Sequence, residues 1–316
     1  MASDIPTLRW GIIATGLIYL WFVEDLLSLP GKSPIVYGSY AKVYENPAVD
    51  IIYIGTPHAF HKHNCLDAIN AGKHGLCEKA FTITTKEALE VLDAARKKGV
   101  FVMEAMWTRF FPLTRSFLQV LHSEKLIGDI HRVFCDFAMN MNIASLGPES
   151  RLKNPALGAG SLLDIGKPKI AAAQTLSDEI DIATSALLLY PSGKQGIMTS
   201  SIQVKSPSGF CRIEGSGGYV VVEGAAASVP GSYTVHSSTA SGDEWVESPT
   251  PGLKSKKFNF DRPGRGFYWE ADAVALDIAA VRTENEIMPW AETIRVMGIL
   301  DEIRRQGGAK FPQDDQ

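Results

Sequence analysis

The sequence predicts an α/β protein: a parallel, doubly wound sheet followed by an α+β region with a large, mainly antiparallel sheet. Three observations predict it. Strand-like and helical stretches alternate up to about residue 110. After Pro112 the pattern changes to successive strand-like runs, each closed by Gly, Pro or Ser. At 316 residues and 45% hydrophobic content, the chain is long enough for two domains, expected at 1–112 and 113–316.

Leu8 to Ala14 reads as a first strand, Thr15-Gly16 as a tight turn and Leu17 to Leu29 as a helix that the Pro30 to Pro34 cluster breaks. A short strand at Ile35 to Tyr37 and a short helix at Tyr40 to Glu45 lead into DIIYIGTPHAFHKHNCLDAINAGKHGLCEKAF, residues 50–81. That segment reads as strand Asp50–Ile54, helix His61–Ala71 stopped by Gly72, and strand Leu76–Lys79. Thr82 to Lys98 is helical, with Thr84 or Thr85 as N-cap and Gly99 as stop, and Val100 to Met103 is the next strand. A helix at Leu113–Ser123 and a strand at Ile130–Phe137 follow. The further strands expected are 184–189, 196–204, 210–214, 219–223 and 233–236. Two closing helices are expected at Gly266–Val281 and Trp290–Gln306.

The formal charge of -4 and a pI near 6.0 argue against nucleic acid or an acidic membrane as partner. The N-terminal apolar run is too short to span a bilayer, and no signal peptide is supported. Cys65, Cys77, Cys135 and Cys211 form no CxxC pair and read as buried free thiols, which implies a reducing, cytoplasmic compartment.

In open parallel sheets ligands bind outside the carboxyl ends of the strands, where Pro57-His58 and Glu78-Lys79 fall. Lys79 there is a surface lysine or, partly desolvated, a proton-transfer group. GIIATGLI at 11–18 places Ala14 and Gly16 where a dinucleotide loop needs small residues, with bulky Tyr19 at the third position; a plain strand-to-helix turn is the other reading. His58, His61 and His63 crowd together, but no helix puts all three on one face, so no metal is expected. His58 reads as a loop histidine near a ligand, and the other two as partly solvated. Asp164 is an N-cap or an active-site carboxylate. Arg109 clamps an anion or closes an inter-domain face.

Taken together, WGIIATG at 10–16, DIIYIGTPHAFH at 50–61, AGKHGLCEKAFT at 71–82, MEAMWTRFFP at 103–112 and GAGSLLDIG at 158–166 resemble the Gfo/Idh/MocA oxidoreductases. Within them the resemblance is to the dihydrodiol dehydrogenase and fungal NADP-dependent D-xylose 1-dehydrogenase group, and 209–224 and 262–274 extend it. The resemblance implies a Rossmann domain, then an open-faced substrate domain that commonly forms a homodimer. It implies hydride transfer between NADP, or NAD, and a sugar or diol carbon.

On this resemblance the catalytic residues are Lys79 and Asp164. The cofactor would be held by Ala14, Thr15, Gly16, Leu17, Ile18, Thr56, Pro57, His58, Glu78, Lys79, Trp107 and Arg109. Two departures stand out. The family's tyrosine falls on Pro168, which has no ionisable group, leaving Lys79, a bound water or Tyr190 to relay a proton. The strand and helix that read the adenosine ribose are missing between Leu29 and Ser33, so the parallel sheet is shortened. Both departures keep open an inactive family member acting as a binding or assembly protein.

Overall fold

The computed structural model describes residues 6–14, 16–27, 34–159, 171–177, 180–238 and 245–315. Thr15, Asp164 and Pro168 lie outside the described residues. Two sheets carry the architecture. The first has four parallel strands in the order β1 (Trp10–Ile13), β2 (Ile51–Ile54), β3 (His74–Glu78), β4 (Val102–Ala105). Every residue of β2 and β4 is buried, as strands covered on both faces require.

The connecting helices are α1 (Leu17–Leu27), α2 (Tyr40–Glu45), α3 (His58–Asn70) and α4 (Thr85–Lys98). The Ser39 hydroxyl caps α2 by accepting from the Lys42 amide. For α4 the Thr84 hydroxyl accepts from the Glu87 amide at 3.3 Å, while the Glu87 carboxylate accepts from the Ile83 amide at 3.1 Å. Gly99, at φ +69°, supplies the left-handed stop. Helix α3 starts at His58 rather than at His61, because Pro57 caps it directly. The strand expected at Ile35–Tyr37 does not form: Ile35 and Val36 are 74% and 93% exposed, in coil. Among the described residues no strand pairs with the outer side of β1, so such a short run has no ladder to join.

The second sheet has nine strands in the order β12-β13-β11-β10-β9-β5-β8-β7-β6. These are β5 (Ile130–Ala138), β6 (Ala171–Ser177), β7 (Ile180–Leu189), β8 (Gln195–Ser201), β9 (Cys211–Gly215), β10 (Gly218–Ala226), β11 (Val229–Ser237), β12 (Val246–Glu247) and β13 (Lys254–Asn259). All neighbours run antiparallel except β5 and β8. The helix expected at Leu113–Ser123 is α5 (Pro112–Leu118), continued by a widened π turn at Gln119–Ser123. The closing helices are α6 (Phe267–Ala279) and α7 (Trp290–Gly307).

One apolar core joins the two sheets: Ile51, Tyr53, Leu76 and Met103 of the first pack in the same cluster as Ile213, Val220, Tyr233 and Val235 of the second. Phe267, at the start of α6, stacks on Trp107 at 4.1 Å between ring centroids and so ties the end of β4 to α6. Buried Asp25 of α1 reaches the same place. Its carboxylate accepts from the amides of Arg265, Gly266 and Phe267 at 2.7–3.1 Å, satisfying the open donors at the start of α6.

Candidate active site

The carboxyl ends of β2, β3 and β4 meet at one loop, Glu78 to Phe81, which carries Lys79. Four side chains and one thiol hold its backbone. Glu78 turns back to accept from the Lys79 amide at 3.2 Å, and its other oxygen accepts from the Tyr53 hydroxyl at 2.7 Å. The His58 ring reaches the Lys79 carbonyl through Nε2 at 3.3 Å and the Gly158 carbonyl through Nδ1 at 3.0 Å. His61 places Nδ1 3.0 Å from the Ala80 carbonyl and Nε2 2.7 Å from the Thr56 carbonyl. Glu104, at the end of β4, accepts from the Phe81 amide at 3.1 Å, and the Cys77 thiol donates to the Phe81 carbonyl at 3.7 Å. The backbone beneath Lys79 is thereby fixed, and its half-buried side chain leaves the strand end from a rigid base.

The histidine reading needs correction. His61 is fully buried, not partly solvated; only His63 is, at 76% side-chain exposure. Both carbonyls facing His61 favour an added proton. Burial and the adjacent His58 outweigh them and push its pKa down to about 3, so the neutral ring donates to one carbonyl at a time. His58 is buried at the first turn of α3 rather than in an open loop.

Beneath the loop lie three buried glutamates, Glu78, Glu104 and Glu270. Burial raises Glu78, with Glu104 adding to the shift against the opposing pull of Lys79 and Tyr53. Glu270 is raised well above the ordinary range by burial and then by Glu78, with the Met106 backbone opposing and Glu104 adding a smaller push. Neither Glu270 oxygen has a hydrogen bond of good geometry among the described residues. Adjacent buried carboxylates cannot all ionise, so Glu270 takes the proton. Tyr53 is likewise raised by burial and by Glu78, which keeps its hydroxyl a donor.

The loop after β1 is open. A side chain at Gly16 would meet nothing within 4 Å, Leu17 is exposed, and Ala14 holds φ 145°. Ile18 and Tyr19 pack at the margin of the shared core. Gly11 does different work: a Cβ there would lie 2.7 Å from Val43, so the missing side chain lets α2 close onto β1. The Thr56 hydroxyl donates to Asn64 at 2.9 Å, fixing the turn after β2. Trp107 is buried against Phe267, and Arg109 is engaged by Glu292 at 2.6 Å. Tyr190 stands in the turn between β7 and β8, near Arg295, which is raised chiefly by its hydrogen bond to Glu292 and only slightly by Tyr190.

Sequence reasoning found Lys79, His58 and Glu78 but passed over Tyr53, His61, Glu104 and Glu270. The available signal was polar residues inside apolar runs: IIYI, VMEA and the FYWEADAVAL helix. Among the described residues no cluster of His, Cys, Asp and Glu could hold a metal ion.

A parallel nucleotide-type sheet joined to a large open sheet, with a fixed lysine at a strand end, defines a Rossmann-type oxidoreductase architecture. Residues 27–106 match the family model described as "Oxidoreductase family, NAD-binding Rossmann fold". The chain is 30% identical to the D-xylose 1-dehydrogenase (NADP(+)) of Hypocrea jecorina, over 99% of this chain and 95% of that one. It is 32% identical to the trans-1,2-dihydrobenzene-1,2-diol dehydrogenase of Sus scrofa, over 97% and 99%. Among solved structures, an aldose-aldose oxidoreductase from Caulobacter crescentus complexed with glycerol superposes with a TM-score of 0.76 at 20% identity, covering 96% of this chain and 98% of that one. The chain belongs to the Gfo/Idh/MocA oxidoreductase family. The alignment with the Hypocrea protein runs over 380 positions against 316 residues here, which leaves at least 64 of its positions without a counterpart.

Proposed function

We propose that this chain is an NADP-dependent oxidoreductase acting on a sugar or diol, of the D-xylose 1-dehydrogenase or trans-dihydrodiol dehydrogenase type. The observation that carries the reading is the Lys79 loop, fixed through its backbone by Glu78, His58, His61 and Glu104 at the carboxyl end of β3. A loop held this rigidly suits a reacting group that must stay in place through turnover.

The residues present fit the pyrophosphate and nicotinamide half of such a cofactor. The open turn at Ala14, Gly16 and Leu17 leaves the N-terminus of α1 free to take phosphate, while Pro57-His58 and Glu78-Lys79 line the strand ends beside it. Bound there, the nicotinamide would accept or return hydride. In the oxidation direction Lys79 Nζ hydrogen-bonds the substrate hydroxyl oxygen and stabilises the negative charge that develops as the proton leaves. Pro168 offers no group to take that proton, so it passes through Lys79 or a bound water. Asp164 orients the polyol by hydrogen bonding. Residues 1–112 carry the cofactor side and 113–316 the substrate side, in a cytoplasmic homodimer.

Near full-length likeness to two dehydrogenases disfavours an inactive binding protein. The test is titration with NADPH and NADH by nicotinamide fluorescence, followed by an assay of NADP⁺ reduction with D-xylose and trans-dihydrodiols. Saturable binding and turnover of at least one substrate are expected. A folded protein that binds neither nucleotide and turns over nothing at high concentration refutes the proposal.

A further inference from the structure

The four cysteines divide into two adjacent pairs in different surroundings. Cys65 and Cys77 meet between α3 and β3, both buried. Cys135 of β5 and Cys211 of β9 are direct cross-strand partners, and both are only partly buried, which corrects the expectation of four buried thiols.

The register decides what Cys135 and Cys211 can do. The Asp136 amide donates to the Phe210 carbonyl at 2.8 Å, so Asp136 and Phe210 are a hydrogen-bonded pair, and the next pair along, Cys135 and Cys211, is a non-hydrogen-bonded one. In antiparallel sheets such pairs bring their Cα atoms to about 4.5 Å and their side chains closest together, inside the span a disulfide bridges without backbone movement. Alternation puts both thiols on the face shared by Val133 and Ile213, and Arg212 with Phe134 on the other.

We propose that Cys135 and Cys211 form a reversible redox pair, a modification site that peroxide closes to a cross-strand disulfide and a dithiol reopens. The Cys135 thiol is pushed down by its hydrogen bond to Cys211, which in turn is pushed up by the same bond. One proton therefore leaves the pair readily and the second with difficulty, making Cys135 the attacking thiolate. Its sulfur attacks a peroxide oxygen, the O–O bond breaks, and hydroxide leaves to become water as a sulfenic acid forms. The Cys211 sulfur then attacks the sulfenic sulfur, the S–S bond forms and a second water leaves. Two thiols lose two electrons in all, and one hydrogen peroxide becomes two waters.

Cys65 and Cys77 are the internal control: burial pushes Cys77 well up and withholds it from solution. The experiment treats the reduced full-length protein with hydrogen peroxide, blocks remaining thiols in denaturant and maps the peptides. The expected result is loss of two of the four thiols, a peptide crosslinked through Cys135 and Cys211, and full recovery with dithiothreitol. Cys135→Ser or Cys211→Ser removes the crosslink and leaves Cys65 and Cys77 unmodified. Four intact thiols after peroxide, overoxidised Cys135 without a crosslink, or a Cys65–Cys77 bridge in its place each overturn the proposal, and the wild-type map alone decides it if a variant fails to fold.

Discussion

The two ends of the parallel sheet are built to opposite standards. At the Lys79 end the Lys79 and Phe81 amides and the Lys79 and Ala80 carbonyls are met by buried side chains, and two glutamates and two histidines are desolvated to do it. At the β1 end no described strand covers the outer side of β1, and Leu17, Leu20, Ile35 and Val36 stand exposed. Long-range polar clamps are costly to keep, because a buried group left without its partner costs about 1–3 kcal/mol. Their presence at one end, beside an edge that no described strand pairs at the other, says that the Lys79 loop is held far more firmly than the region around β1.

The largest effect tests the well-built end. Lys79→Met should lower turnover by about 10²–10⁴-fold, the range proton-transfer groups supply, while circular dichroism and Tm stay near wild type. Loss of the same size from Lys79→Arg would show that position matters as much as charge. His61→Phe comes next. It removes the one N–H that serves the Ala80 and Thr56 carbonyls in turn, so Tm should fall by roughly 2–4 °C per kcal/mol lost, and kcat should fall with the loosened loop. Wild-type stability should also fall as pH drops from about 6.5 toward 3, because the unfolded chain takes up the proton that buried His61 refuses, and His61→Phe should flatten that limb.

Much of this comparison was legible in the sequence, but unevenly. The alternation IIYIG, helix, HGLCEK located the strand ends, and Tyr40–Glu45 and Gly99 fell where their caps required. Local signals sufficed because those elements close on themselves. The shortening expected between Leu29 and Ser33 falls largely outside the described residues, among which no strand pairs with the outer side of β1. The clamps were not: Glu104 to Phe81, His61 to Ala80 and Asp25 to α6 join residues 19 to 242 positions apart, and nothing local marks such a partner. Strand β13, KSKKFN, was missed because its ladder position comes from pairing with β11 and not from an apolar pattern.

The open end should show itself in nucleotide selectivity. With no strand beyond β1 among the described residues to carry a ribose-reading side chain, NADPH should bind no more than about tenfold tighter than NADH, a difference of about 1.4 kcal/mol. A preference of a thousandfold by fluorescence titration would mean that the open end reads the ribose after all. A smaller effect concerns the proton on Glu270. Its folded-state pKa is raised, so the native state keeps a proton the unfolded chain loses, and stability is full below the ordinary value of 4.5 and lost as pH rises through the folded value. Glu270→Gln cannot ionise. Its Tm should match wild type in acid and exceed it by about 2–4 °C in mildly alkaline buffer. A Tm below wild type at alkaline pH would show that the carboxylate form is the one the site uses.

The smallest effect asks to which end Arg109 belongs. Glu292 is held down to about 2 by its hydrogen bonds to Arg295 and then Arg109, so its contribution is present above 4.5 and lost as pH falls toward 2. Glu292→Gln should therefore lower Tm by a few degrees at most near neutrality, with the difference closing in acid, since a half-exposed Arg295 and salt screening limit what such a pair is worth. The same change releases Arg109. If Arg109 only fastens the end of β4 to α7, NADPH affinity stays within about twofold of wild type, well under the 1.4 kcal/mol of a tenfold change. A clear gain in affinity would place the Trp107 to Arg109 segment in the cofactor site, with Glu292 competing for it in the free protein.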